Sequence, residues 1–153
     1  ARAAVNEKVC TKAVEHIVEA NTYLSGVGAE NCGTAAAHAI HNGFTQIPET
    51  HGFYHGEKVA FGTLAQLVLE NAPGAELDEV MNFCLDVGLP VTLAGLGIAR
   101  ISREEIMKVA ETACNLVSMR RMPFAVTPQM LVDAIIAADA LGRGYMARRA
   151  VAP

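Results

Sequence analysis

Val5, Val9, Ala13, Ile17, Ala20 and Leu24 recur at three- and four-residue steps, and Glu7, Lys8, Thr11, Lys12, Glu15 and Glu19 fall on the opposite side. That is the period of an amphipathic helix laid on a core, and Gly26 and Gly28 are expected to end it. The pattern predicts a second helix over 29–42, closed by Gly43 at the capping position. A third starts at His55 and runs through Val59, Phe61, Leu64, Leu67 and Val68 to Pro73-Gly74. Residues 76–87 read as a fourth, with Leu77, Val80, Met81 and Cys84 inward and Gly88 then Pro90 as the stop. Ser102-Arg103-Glu104-Glu105 is a capping box, in which the serine hydroxyl and the glutamate three residues on satisfy free amides. It launches a fifth helix through Val117. Thr127-Pro128 sets a capping hydroxyl before a first-turn proline, and a sixth helix runs to about Met146. Only Asp133, Asp139 and Arg143 interrupt its apolar surface, so it is expected to lie centrally. Nothing alternates with period two over a useful length; residues 89–98 hold at most a short extended piece. The expected architecture is all-α, a bundle of about six helices in one domain over residues 1–153.

Composition narrows the setting. At 153 residues the chain has the length of one ordinary domain, and 52% hydrophobic against 18% charged residues leaves little charge to cover a large solvated surface. Some of that surface is expected to be hidden against another domain or another copy of the chain. A net charge of -4 gives no field that favours nucleic acid or anionic lipid. The Arg120-Arg121 pair and Arg143, Arg148 and Arg149 are too sparse for a nucleic-acid footprint. No apolar run approaches the ~18 residues of a membrane span. Cys10, Cys32, Cys84 and Cys114 show no paired spacing and read as buried, reduced thiols of a cytoplasmic protein. The start at Ala1, with no signal-peptide layout, reads as that of a piece cut or processed from a longer chain.

Candidate chemistry concentrates between residues 33 and 64. His38 lies in the Ala-rich run that ends at Gly43, and His55 opens His-Gly-Glu-Lys-Val-Ala-Phe-Gly, 17 residues later. Gly43, Pro48 and Gly52 punctuate the stretch between, so a helix, a turn and a second helix start would bring both imidazoles to one point. His41, three residues beyond His38, shares its face. Any one of these taken alone reads as an ordinary half-buried histidine; three converging across one hairpin read equally well as a metal site. Two nitrogens fall short of the three protein ligands usual at a catalytic zinc. His51 is expected at a solvated rim and His16 on the surface. Glu57 is placed to cap the helix start, Lys58 to cover surface, and Tyr54 to pack or to offer a hydroxyl to a substrate. No phosphate loop, dinucleotide fingerprint or nucleophile elbow occurs.

The segments Gly-Ala-Glu-Asn-Cys-Gly-Thr-Ala-Ala-Ala-His-Ala-Ile-His-Asn-Gly (28–43) and His-Gly-Glu-Lys-Val-Ala-Phe-Gly-Thr-Leu (55–64) closely resemble the glycerol dehydrogenases. These form a branch of the iron-containing (group III) alcohol dehydrogenase superfamily. The resemblance runs from the first helix to about Met146. It implies the helical C-terminal domain of a dehydroquinate synthase-like fold, whose N-terminal NAD-binding domain is absent from this chain. It also implies that His38 and His55 are zinc ligands, with an aspartate on a preceding segment as the third, and that NAD is bound mainly by the missing domain. His41 would contact the nicotinamide or relay a proton. The implied reaction is NAD-dependent oxidation of glycerol or a similar polyol, with zinc as Lewis acid toward the substrate hydroxyl. The implied partners are the NAD-binding domain, in cis or trans, and further copies in a homo-oligomer. The chain alone is expected to be inactive. The alternative is a non-catalytic helical assembly module or fragment that keeps the fold.

Overall fold

A computed structural model describes residues 1–151. They are helical, with no strand among them, and they fall into two compact units, residues 1–33 and 34–151.

The first unit contains helices α1 (Arg2–Asn6), α2 (Lys12–Glu19) and α3 (Ser25–Asn31), with a π-helical turn at Ala20–Leu24 joining the last two. The single helix expected over residues 5–24 is therefore broken. Lys8 takes a left-handed φ of 55°, and the amides of Lys8 and Val9 turn back to the carbonyls of Val5 and Ala4 at 3.1 and 2.9 Å. This is a Schellman closure made without glycine, so periodicity alone did not reveal it. Gly26 and Gly28 do not end a helix; both lie inside α3. Nor does the amphipathic face cover a core here: no residue of α1, α2 or α3 is buried, and Ile17, Val18, Tyr23 and Leu24 are each more than half exposed. Cys10 and Cys32 are exposed free thiols rather than the buried ones expected.

The second unit is built on α4 (Ala36–Phe44), α5 (His55–Leu69), α6 (Gly74–Asp86), α7 (Arg103–Cys114) and α8 (Pro128–Val151). Helix α4 packs on α5 and α7, and α8 packs on the same two, which closes a ring of four helices; α6 lies against α5 and α8. Ile40, Phe44, Phe61, Leu64, Val109, Leu131 and Ile135 fill the ring, each fully buried. The Phe44 and Phe61 rings meet tilted at 5.8 Å between centroids, a favourable edge-on arrangement. The central place expected for the last helix belongs to its first half, where Leu131, Val132, Ile135 and Ala138 are buried.

Several ends were legible. Ser102 accepts the Glu105 amide and donates its own amide to the Glu105 carboxylate at 2.8 Å, and Gly88 closes α6 with a φ of 77°. Others differ. Helix α5 stops at Leu69, before Pro73, because Asn71 takes a φ of 52° and the Ala72 amide returns to the Leu67 carbonyl at 2.9 Å. Helix α4 starts only at Ala36, and Gly43 lies within it rather than at its cap. A Cβ at Gly43 would lie 2.5 Å from the Val109 carbonyl oxygen, so this glycine serves close packing on α7. Residues 89–98 form no extended strand; they hold a 3₁₀ turn at Ala94–Leu96. The buried Asp139 carboxylate of α8 accepts the Leu93 amide at 2.8 Å and also pairs with Arg143, so the polar residue in the apolar face pins this segment to the bundle.

Candidate metal centre

All three candidate histidines lie in the second unit, two on α4 and one at the start of α5. His38 is the third residue of α4, and His55 is the first of α5. Their relative position is set by two devices. The first is helix contact: a Cβ at Gly62 would run into the Ala37 carbonyl oxygen, so only glycine allows α5 to approach the first turn of α4 this closely. Gln66 of α5 then accepts the Ala37 amide at 2.9 Å, capping one of the free donors of a helix start from the neighbouring helix. The second device is the connection. The buried Thr50 hydroxyl lies 2.7 Å from the Phe44 carbonyl and 2.9 Å from that of Ile47. The Lys58 ammonium donates to the Thr50 carbonyl at 3.1 Å. The loop is thereby tied to the end of α4 on one side and to α5 on the other.

Lys58 does not cover surface as expected; it is 7% exposed. The signal was present, since Lys58, Phe61, Gly62 and Ala65 fall on one helical stripe that faces the core. Glu57 caps as expected, its carboxylate accepting the Tyr54 amide at 2.6 Å. Tyr54 is not packed; it is 82% exposed at the mouth of the loop. His51 is exposed, with its Nε2 2.9 Å from the Thr45 carbonyl oxygen, and His16 is exposed in the first unit.

The His38 and His55 rings stand 5.2 Å apart between centroids, tilted by 47°. His41 is nearer to His55, at 4.4 Å, and its Nε2 lies 3.1 Å from His55 Nδ1. His41 Nδ1 in turn lies 3.0 Å from Asn42 Oδ1. His38 and His41 are half-buried and His55 is exposed. Burial, and then repulsion from His55, hold His38 below the usual imidazole range. Burial also lowers His41; the Asn42 hydrogen bond opposes this, while His55, Lys58 and His38 reinforce it. Burial therefore favours the neutral form of His38 and of His41, the form in which a ring nitrogen has a lone pair for a metal.

The donor set fits a zinc ion in part. Two imidazoles on one tetrahedral zinc, with bonds of ~2.0–2.1 Å, bring their ring centres to about 5 Å apart, close to the separation of His38 and His55. Among the described residues, no group of three or more His, Cys, Asp or Glu side chains is arranged to hold a metal by itself. Within the histidine triplet, the His41 nitrogen that faces His55 is engaged with His55 Nδ1. A groove of about 500 Å³ lies elsewhere, between the 93–101 segment, α7 and α8.

No protein-family model matches the chain. Individual relatives do. The chain is 56% identical over 149 residues to glycerol dehydrogenase of Citrobacter freundii, covering 97% of this chain and 41% of that protein. It is 54% identical over 144 residues to the Pseudomonas putida glycerol dehydrogenase (94% and 40% covered). A glycolaldehyde reductase of Halobacterium salinarum is 47% identical over 141 residues (92% and 39%). In three dimensions, the crystal structure of a probable glycerol dehydrogenase from Sinorhizobium meliloti superposes with a TM-score of 0.85 at 50% identity, covering 92% of this chain and 40% of that one. Glycerol dehydrogenase from Schizosaccharomyces pombe gives 0.88 at 40% identity (98% and 39%). The chain spans about 40% of the length of these relatives. In sequence and in fold it is a homologue of the helical C-terminal part of the glycerol dehydrogenases.

Proposed function

We propose that this chain is the metal-binding helical part of an NAD-dependent polyol dehydrogenase acting on glycerol or a similar vicinal diol. The observation that carries the reading is the facing of His38 and His55 at a tetrahedral-zinc separation, in a chain related to glycerol dehydrogenases. His38 and His55 would hold the zinc, with a third protein ligand from a partner domain. Zinc bound there would supply a Lewis acid for a substrate hydroxyl. The chain's own part is to hold the His38 and His55 rings beside one another, 5.2 Å apart between centroids. The rigid α4–α5 contact through Gly62 and the Thr50–Lys58 tie do this. The nicotinamide cofactor would sit on the partner domain, since no segment here offers the strand, glycine turn and helix start that hold a pyrophosphate.

The test is reconstitution. NADH formation from glycerol is followed for the chain alone, for the chain mixed with or fused to the N-terminal part of the Citrobacter freundii relative, and for the same pair carrying His55→Ala. Activity is expected only in the unsubstituted pair. Turnover by the chain alone would contradict the reading, as would equal turnover by the His55→Ala pair.

A further inference from the structure

The three histidines do not play equal parts. His41 Nε2 is 3.1 Å from His55 Nδ1, and His41 Nδ1 is 3.0 Å from Asn42 Oδ1. An amide oxygen only accepts, so the proton between Asn42 and His41 sits on His41 Nδ1. In a neutral ring that leaves Nε2 as a bare acceptor, and it can take a hydrogen bond from His55 only if His55 carries its proton on Nδ1. His55 Nε2 is then the nitrogen with the lone pair. The chain of bonds runs in one direction, from His55 through His41 to Asn42.

We infer that His41 is a positioning residue that accepts the Nδ1 proton of His55 and so fixes His55 in the tautomer and ring orientation that offer Nε2 to a metal. This rests on the zinc reading above for its purpose, but not for the hydrogen bond itself. The physical reason is general. A metal-bound imidazole usually donates its other N–H to an acceptor that sets its orientation, and loss of that acceptor costs about 10–100-fold in metal affinity. The usual acceptor is a carboxylate or carbonyl; here a second imidazole takes that place, backed by an amide. Among the described residues His38 has no such hydrogen-bonded acceptor, and its ring lies beside that of His55. The exposed member of the pair is therefore the one that is tied. His55 stands at the first residue of its helix, where no preceding turn restrains the side chain.

The test has two independent readouts on the chain as it stands. Long-range nitrogen–proton NMR at a pH where the imidazoles are neutral assigns each tautomer without metal. In the wild type His55 is expected as Nδ1–H and His41 as Nδ1–H. In His41→Phe, His55 is expected to move to Nε2–H. In His41→Gln, whose amide oxygen reaches the place of Nε2, His55 is expected to return to Nδ1–H. Calorimetry with zinc alone should show about 10–100-fold weaker binding for His41→Phe and near wild-type binding for His41→Gln. Finding His55 as Nε2–H in the wild type overturns the proposal, whatever the variants do. So does His41→Phe with unchanged tautomer and zinc affinity. If His41→Gln binds zinc as poorly as His55→Ala, His41 is itself a ligand and the positioning role is wrong. The zinc reading fails separately if His38→Ala and His55→Ala both leave zinc affinity unchanged.

Discussion

His38 and His41 are held below the usual imidazole range while half-buried, and this ties stability to pH. The folded chain binds these protons less readily than the unfolded chain, so stability rises with pH where the unfolded histidines titrate. Above the unfolded value of ~6.5 the two states are both neutral and stability is full. As pH falls through that value the unfolded state gains protons first, and stability is lost until the lowered folded values are passed. The melting temperature should therefore fall on acidification below neutrality, and His38→Gln together with His41→Gln should flatten that part of the profile; an unchanged slope in the double variant would show that these rings are not its source. Zinc competes with the proton for the His38 lone pair, so its affinity should fall on acidification. With two imidazoles and no carboxylate, zinc should also bind this chain more weakly than it binds a full-length glycerol dehydrogenase. The His38/His55 pairing was legible as spacing, because 17 residues with Gly and Pro between two helical runs make a hairpin. The roles of Asn42, Lys58 and Gln66 were not, since each depends on where a neighbouring helix passes.

At the level of elements, the sequence showed which segments are helical more clearly than where they stop. Ser102 with Glu105 and Gly88 announced their ends because their chemistry is residue-specific. Lys8 and Asn71 close helices by the same left-handed geometry without a glycine to mark it, and Gly43 and Gly62 look like breakers but are packing residues inside helices. Gly62→Ala should cost about 1–3 kcal/mol by overpacking and should loosen zinc binding as α4 shifts. Gly144→Ala, with only the tip of Arg148 at 3.7 Å, should instead stabilise α8 by about 0.5–1 kcal/mol. Equal effects of the two in denaturant unfolding would refute the close-approach account. The isosteric Thr50→Val removes the hydroxyl that ties the loop to the end of α4 and should cost about 1–3 kcal/mol, with a matching loss of zinc affinity. A stability loss with no change in affinity would separate the loop from the site.

Over the whole molecule, 18% charged residues and 52% hydrophobic ones meet a first unit with no buried residue. Its Val5, Val9, Ile17, Val18, Tyr23, Leu24 and Val27 are all exposed, and exposed apolar side chains gathered in one segment favour association. The isolated chain should self-associate, with an apparent mass in light scattering that rises with concentration; a monomer at every concentration would contradict this. Among the described residues no helix is long and apolar enough to cross a membrane. All-α architecture was legible throughout, because helical periodicity is local. The division into two units was not, because burial depends on contacts that no periodicity records. Anomalous diffraction at the zinc edge tests directly whether two histidines from two helices hold one ion. Crystals of the chain grown with zinc should show one peak ~2.0–2.1 Å from a nitrogen of both His38 and His55, the His55 nitrogen being Nε2. A peak bound elsewhere, or no peak between these two rings at saturating zinc, would contradict it.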